Sequence, residues 1–310
     1  MIYTCTITPS LDYTTYLPDF TAGKLNRTGE VYYYPGGKGI NVSRVLKRLG
    51  AENVALGFTG GFTGHYIEEF LKNEGVATDF IETDEITRIN VKIKSAQETE
   101  LNGPGPELDS LQLNQLAEKA GKMQAGDWLV LAGSLPLSIP DAYFIGLAET
   151  CRKLGVKFVL DTSGPAFPKL IQRGPFLIKP NQEELGELFG CHITGMAEAA
   201  FYAKKLVEAG VQHVVVSMGG EGALLATSDL LLQAKAPKGK VVNTVGAGDS
   251  LVSGFIASYV QHGDAEKAFR YGVASGSATA FSRDLCTKDR VEALLEFVEV
   301  HPITEEGVEK

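Results

Sequence analysis

The chain has 310 residues, 44% hydrophobic and 22% charged, enough to bury a sizeable core in one large domain or two small ones. Its 29 Lys and Arg against 38 Asp and Glu leave a formal charge of −9. That balance argues against nucleic acid or an anionic membrane as partner, and leaves room for a small anionic substrate at a local positive site. Cys5, Cys151, Cys191 and Cys286 show no paired spacing and the His residues no metal-ligand spacing, so a reducing, cytoplasmic setting without a zinc site is expected. Neither a signal peptide nor an apolar run long enough to span a membrane is expected.

In chain order, Ile2–Thr8 reads as a strand with Asp12 in the loop beyond it. Residues 12–35 are rich in Tyr (Tyr13, Tyr16, Tyr32, Tyr33, Tyr34) and carry Lys24 and Arg27. Asn41–Leu49 has helical spacing, with Val42, Val45, Leu46 and Leu49 on one face and Gly50 closing it. Val54–Phe58 is a strand and Tyr66–Asn73 a helix. Residues 87–101 alternate as an exposed strand through Ile89, Val91 and Ile93. Trp128–Ala132, Lys157–Asp161, Phe176–Lys179 and His213–Ser217 are short apolar strands, separated by helical stretches around 111–123, 141–153, 182–189 and 197–209. A last apolar run from Leu251 ends at Gly263, a good C-cap, and the acidic tail after His301, with Glu305, Glu306 and Glu309, is expected to fray.

This β-α-β rhythm predicts an α/β fold with a mainly parallel central sheet covered by helices on both faces. Segments of about 12–35 and 87–101 break the rhythm and predict a small antiparallel β lid, discontinuous in sequence, on a single domain spanning 1–310. Ligands sit beyond the carboxyl ends of such strands. Polar segments fall there repeatedly: Gly133-Ser134, Asp161-Thr162-Ser163, Lys179-Pro180-Asn181 and Ser217-Met218-Gly219-Gly220-Glu221-Gly222.

Val245-Gly246-Ala247-Gly248-Asp249-Ser250 stands where a loop turns into a helix. Its small residues leave backbone N–H groups open at the positive end of the helix dipole, an anion site. An acid there repels the anion, unless it takes a proton from a hydroxyl attacking a phosphate. The plainer alternative is a tight turn with an acid near the helix start. Gly36-Gly37-Lys38-Gly39-Ile40-Asn41 offers close backbone approach, a charge and an amide, or else a Gly-rich turn. Gly219–Gly222 is a hairpin turn or a loop beside nucleotide phosphates. Asn181 and Glu184 are a helix cap with an exposed acid, or oxygens that hold Mg²⁺ through water. Arg88 is a surface charge or a sugar-phosphate ligand, and Asp12 a turn cap or an acceptor for sugar hydroxyls.

The segments Gly36–Asn41 and Asn243-Thr244-Val245-Gly246-Ala247-Gly248-Asp249 resemble the two signature regions of the PfkB carbohydrate kinases of the ribokinase superfamily. The family's usual first Asp of the second region is Asn243 here. Asn181-Gln182-Glu183-Glu184 is similar to the family's N-x-x-E element, and Thr8–Asp12, Thr87–Lys92 and Glu98–Pro106 also fit. The resemblance runs from residue 2 to about residue 298. It implies a ribokinase-like, Rossmann-type three-layer sandwich. It also implies ATP-dependent phosphorylation of fructose 1-phosphate at the 6-hydroxyl, with ATP as co-substrate and Mg²⁺. Tagatose 6-phosphate is the near alternative. Lys38 leans away from members that take fructose 6-phosphate. Asp249 is then the base, with Gly246, Ala247 and Gly248 on the transferring phosphate. Asp12, Gly37, Gly39, Asn41 and Ser134 hold the sugar, and Lys38, Arg88, Lys24 and Arg27 serve its existing phosphate. Lys179, Asn181, Ser217, Gly219, Gly220, Glu221, Gly222 and Gly248 line the nucleotide site, and Asn181 and Glu184 serve Mg²⁺. The lid implies a homodimer. A nicotinamide dehydrogenase is disfavoured because no G-x-G-x-x-G follows the first strand, and the intact second motif argues against a non-catalytic sugar-phosphate-binding protein.

Overall fold

The computed structural model describes residues 1–303, and the acidic tail with Glu305, Glu306 and Glu309 lies outside the described residues. In chain order the elements are β1 (Ile2–Thr6), β2 (Ser10–Tyr16), β3 (Val31–Gly36), α1 (Lys38–Arg48), β4 (Asn53–Thr59), α2 (Gly61–Asn73), β5 (Ala77–Thr78), β6 (Ile81–Glu82), β7 (Ile89–Lys94) and β8 (Thr99–Asn102). They continue with α3 (Ser110–Gly121), β9 (Trp128–Ala132), α4 (Asp141–Leu154), β10 (Lys157–Asp161), α5 (Phe167–Ile171), β11 (Leu177–Ile178), α6 (Gln182–Phe189), α7 (Met196–Glu208) and β12 (His213–Ser217). The chain closes with β13 (Ala223–Ala226), β14 (Leu231–Ala234), α8 (Ala247–His262), α9 (Ala265–Ala280), α10 (Lys288–Leu295) and β15 (Val300–Pro302).

The large sheet is 11-stranded, in the order β15-β14-β13-β12-β11-β10-β9-β1-β4-β5 with β6 also on β4. From β5 to β12 neighbours run parallel, and β13, β14 and β15 add an antiparallel edge. Its central strands are near-continuous apolar runs because both faces are covered. Successive residues point to opposite faces. In β9, Leu129 and Leu131 pack with α3, α4, α5 and α7, whereas Trp128, Val130 and Ala132 pack with α1, α8, α9 and α10. The predicted three-layer α/β sandwich is the observed fold.

The small sheet has the order β3-β2-β7-β8. Its two hairpins, β2–β3 and β7–β8, are antiparallel and join side by side through a parallel β2–β7 pair. Alternation sorts its residues into rows. Tyr34, Asp12, Asn90 and Asn102 are in register on one face, and Tyr33, Tyr13, Val91 and Leu101 on the other.

Two helices begin earlier than their apolar periodicity shows. The first turns of α1 and α2 carry Lys38-Gly39 and Gly61-Phe62-Thr63-Gly64, poor helix formers with no amphipathic signature. Tertiary contacts decide these starts: Thr63 Oγ1 donates to the Thr87 carbonyl at 2.6 Å. Asp12 is not in the loop after the first strand. Pro9 interrupts the run, and the chain re-enters a sheet as β2, where Asp12 pairs across to Tyr34.

Candidate active site

The chain moves from β1 to β4 on one side and resumes at β9 on the other, so the sheet order reverses between β1 and β9. A crevice opens outside the carboxyl ends at such a point. Here it is a cavity of about 520 Å³, whose lining includes Thr6, Gly133, Lys179, Asn41 and Asp249, roofed on the lid side by Asp12, Arg88, Asn90 and Lys92. Beside it lies a second cavity of about 760 Å³, walled by Gly219, Gly220, Gly222, Leu251, Val273 and Phe281. Asn181, Ser217 and Gly248 line both.

Gly246 caps α8 in the left-handed region at φ 79°, and Asp249 falls in the helix's first turn. Asp249 is 6% exposed and accepts a hydrogen bond from Asn41 Nδ2 at 2.8 Å. Burial, with the nearby charge of Asp161, pushes its carboxyl up to about 6, against the Asn41 hydrogen bond and the lysines, which act the other way. A carboxyl poised there is ionised at neutral pH yet basic enough to share a proton. Lys179 stands against Gly248: a Cβ there would lie 3.0 Å from Lys179 Nζ.

Asp161, at the end of β10, is 1% exposed. Its Oδ1 faces Lys38 Nζ at 3.0 Å and Lys179 Nζ at 3.5 Å, while its buried Oδ2 has no partner. Burial alone would raise this carboxyl, but the two ammonium groups outweigh it and hold it low. Lys38 also lies 3.7 Å from Glu184 Oε1. Its ammonium is raised despite burial, through the charges of Asp161, Glu184 and Asp249.

Arg88 donates to the carbonyls of Thr8 at 3.0 Å and Gly103 at 3.2 Å, and forms no ion pair among the described residues. Its guanidinium lines the cavity while bound to those two carbonyls. Asn181 and Glu184 form a reciprocal capping box: Asn181 Oδ1 accepts from the Glu184 N–H at 2.8 Å, and Glu184 Oε2 from the Asn181 N–H at 2.9 Å. The cap uses one lone pair of the Asn181 oxygen and fixes its direction. Glu184 Oε1 and the orphaned Asp161 Oδ2 remain as oxygen capacity.

Gly37, Lys38, Asn41 and Ser134 line the first cavity. Other expected residues are not brought to it. Lys24 and Arg27 are exposed on the β2–β3 connection. That hairpin presents its Ser10–Gly36 end to the cavity and its Thr15–Val31 end, from which the connection departs, away from it. Gly39 is a packing residue: a Cβ would lie 2.4 Å from Thr6 Oγ1 and 3.0 Å from the Cys5 carbonyl, so glycine lets α1 seat on β1. Ala247 lines the second cavity rather than the first, because it starts the helix on that side. Glu221 belongs to the 3₁₀ turn Gly219–Glu221 of the β12–β13 hairpin and lines neither cavity, whereas Gly222 does. Gly222 must be glycine: φ is +105° and a Cβ would lie 1.9 Å from the Ala234 carbonyl.

Sequence reasoning placed the Asp161 segment at the ligand-bearing edge but gave Asp161 no role, and it missed Lys92, Asn90 and Phe281. The signal for Asn90 and Lys92 was their alternation with Arg88 along one strand. Nothing local marks Phe281.

A glycine-rich helix start, a buried carboxylate, and two cavities meeting at a glycine suit an enzyme that moves a phosphoryl group from a nucleotide onto an alcohol. The chain belongs to the pfkB family of carbohydrate kinases, whose family model matches residues 7–290. It is 52% identical over 300 residues to a 1-phosphofructokinase of Bacillus subtilis (strain 168), covering 97% of this chain and 99% of that protein. It is 39% identical over 286 residues to a D-tagatose-1-phosphate kinase of Bacillus licheniformis, covering 92% and 94%. Among solved structures, a putative phosphofructokinase from Staphylococcus aureus superposes with a TM-score of 0.87 at 43% identity, covering 98% of this chain and 99% of that one.

Proposed function

We propose that the chain is an ATP-dependent kinase that phosphorylates fructose 1-phosphate at the 6-hydroxyl, giving fructose 1,6-bisphosphate and ADP. The observation that carries the reaction is Asp249, buried at the helix start beside the glycine shared by the two cavities. The choice of sugar is supported by the full-length relative named 1-phosphofructokinase. The relative named D-tagatose-1-phosphate kinase favours a ketohexose 1-phosphate as the wider substrate class, ahead of tagatose 6-phosphate.

ATP occupies the larger cavity, its phosphates passing Gly219, Gly220, Gly222 and Ser217 toward Gly248. The sugar phosphate occupies the smaller one. Its 6-hydroxyl lies against Asp249, its ring against Asp12, Asn41 and Ser134, and its phosphate against Arg88. The sugar oxygen attacks the γ-phosphorus, an O–P bond forms, the bond to the bridging β,γ-oxygen breaks, and the hydroxyl proton passes to Asp249 as ADP leaves. A free Asp is too weak a base to deprotonate an alcohol in advance, so Asp249 accepts the proton as the bond forms. The N–H groups of Gly246 and Gly248 stabilise the transferring group, by about 3 kcal/mol for each well-placed donor, whereas the Ala247 N–H is donated to the Thr244 carbonyl at 3.2 Å and closes the turn. The contacts of Lys38 with Asp161 and Glu184 support a role at this end of the cavity, near the phosphoryl in transit, rather than beside Arg88.

The electrostatics call for another cation. Asp12, Glu100, Asp161, Glu184 and Asp249 face Lys38, Arg88, Lys92 and Lys179, before any phosphate enters. Among the described residues no His, Cys, Asp or Glu cluster forms a full protein cage. A hydrated Mg²⁺ fits this donor set, since it keeps several waters and takes one or two carboxylates plus substrate phosphates. Glu184 and Asp161 are the residues to hold it, and Asn181 acts by positioning Glu184. When bound, the ion neutralises phosphate oxygens.

The four-stranded sheet acts as a lid over a single kinase domain and excludes water from the reaction. Its outer row of Tyr33, Tyr13, Val91 and Leu101 supports a homodimer between two lids, with Tyr33 49% and Leu101 61% exposed. No helix among the described residues is long and apolar enough to cross a membrane, and the free cysteines suit the cytoplasm in which we place the enzyme. An ADP-release assay comparing kcat/KM for fructose 1-phosphate, tagatose 1-phosphate, tagatose 6-phosphate, fructose 6-phosphate and ribose tests the reading. Fructose 1-phosphate should rank first, and absence of ADP release with every sugar would overturn it.

A further inference from the structure

The lid wall carries a cation that the proposed chemistry leaves idle. Lys92 sits on β7, where Arg88, Asn90 and Lys92 alternate toward the cavity. Its Nζ lies 2.8 Å from Asp12 Oδ2, and the two side chains are only 14% and 13% exposed. The other Asp12 oxygen, Oδ1, accepts from Ser10 Oγ at 2.6 Å and Asn90 Nδ2 at 3.2 Å. Behind it stands Gly36, where a Cβ would come within 2.2 Å of Oδ1. A carboxylate held at both oxygens and backed by a glycine cannot turn, so its spare lone pairs have one direction.

Charge points the same way. On β8, Glu100 is the cross-strand partner of Lys92 and also lines the cavity. Without Lys92, Asp12 and Glu100 would present two negative groups to an anionic sugar on the lid side, with Arg88 as the lid's remaining cation in the cavity lining.

We propose that Lys92 is a positioning residue for the sugar phosphate: it fixes the direction in which Asp12 accepts sugar hydroxyls and offsets the charge of Asp12 and Glu100. This rests on the reading of Asp12 as a sugar ligand in a ketohexose-phosphate kinase. The role belongs to binding and not to the chemical step, because Lys92 pairs with Asp12 on the lid sheet, whereas Asp249 is held by Asn41 on α1.

Steady-state kinetics with fructose 1-phosphate and ATP test it on the full chain, using Lys92→Met, Lys92→Arg, Asp12→Asn and the Lys92→Met/Asp12→Asn double variant. Lys92→Met should raise KM for the sugar about tenfold with kcat within about twofold and KM for ATP unchanged, and Lys92→Arg should restore most of the loss. The double variant should be much less than multiplicatively worse than Asp12→Asn alone, because the lysine acts mainly through that carboxylate and only the smaller offset of Glu100 remains to be lost. An unchanged sugar KM in Lys92→Met, or fully multiplicative effects in the double variant, would overturn the proposal. So would parallel loss of kcat and ATP affinity that arginine does not rescue, which would make Lys92 a structural residue. A wild-type chain that releases no ADP with any ketohexose phosphate would instead overturn the kinase reading on which the proposal stands.

Discussion

In the proposed reaction, Asp249 and Arg88 divide the work of the cavity between proton and charge. Asp249→Asn should lower kcat by about 10²–10⁴-fold and leave KM for ATP nearly unchanged in steady-state assays, since the amide keeps the shape and cannot take the proton. With the carboxyl raised to about 6, kcat/KM should fall as pH drops through about 6 and level off above it. The same shift has a cost in stability. A folded-state value above the ordinary one means that the fold binds this proton more tightly than the unfolded chain does. The group therefore destabilises the fold progressively as pH rises from about 4 to 6, by about 3 kcal/mol once it is ionised. Asp249→Asn should accordingly raise the denaturation midpoint at pH 8, with the gain vanishing near pH 4. In the proposed role of Arg88 as the ligand of the sugar's phosphate, Arg88→Ala should raise the sugar's KM about 10–100-fold with little change in kcat. Equal damage with an unphosphorylated sugar would count against that role.

At the scale of elements, the site depends on how α1, α2 and the segment after α9 are tied together. Arg44, 2% exposed, donates to Glu74 at 2.7 and 2.9 Å and to Asp284 at 3.1 Å. Arg48 reaches the same two acids at 2.8 and 2.7 Å. Glu74 lies just past α2, and both arginines are on α1, the helix that carries Lys38 and Asn41 into the cavity. Glu74→Ala strands a buried guanidinium and should cost about 3 kcal/mol in denaturant unfolding, the lower end for a broken buried pair because Asp284 remains. The helices and strands of this frame were largely legible from apolar period: β9, β10, β12 and α6 have the boundaries expected from sequence. The first turns of α1 and α2 were not, because glycines and polar residues there carry no period and tertiary hydrogen bonds hold them.

For the whole molecule, the pleat of the lid sheet separates two jobs. One face lines the first cavity and the other exposes the Tyr33–Tyr13–Val91–Leu101 row. If that row joins two copies, sedimentation should show a dimer in the wild type and a monomer in Tyr33→Asp/Leu101→Asp, with the fold intact by circular dichroism. Lys24 and Arg27 stand on the connection at the far end of the same hairpin, so a phosphate role for them within one chain has no support in this geometry.

The sequence by itself determined the layered α/β architecture, the glycine-rich helix start with its acid, and the family. Each is written in residues close together: an alternation of apolar periods, or three small residues before an aspartate. The tertiary structure decided which charges meet. Asp161 became the clamp on Lys38 and Lys179, Lys92 the partner of Asp12, and Glu184 a capping residue with one oxygen left over. Such pairings depend on strand order, register and burial. Those join residues far apart in the chain, and no local pattern records them.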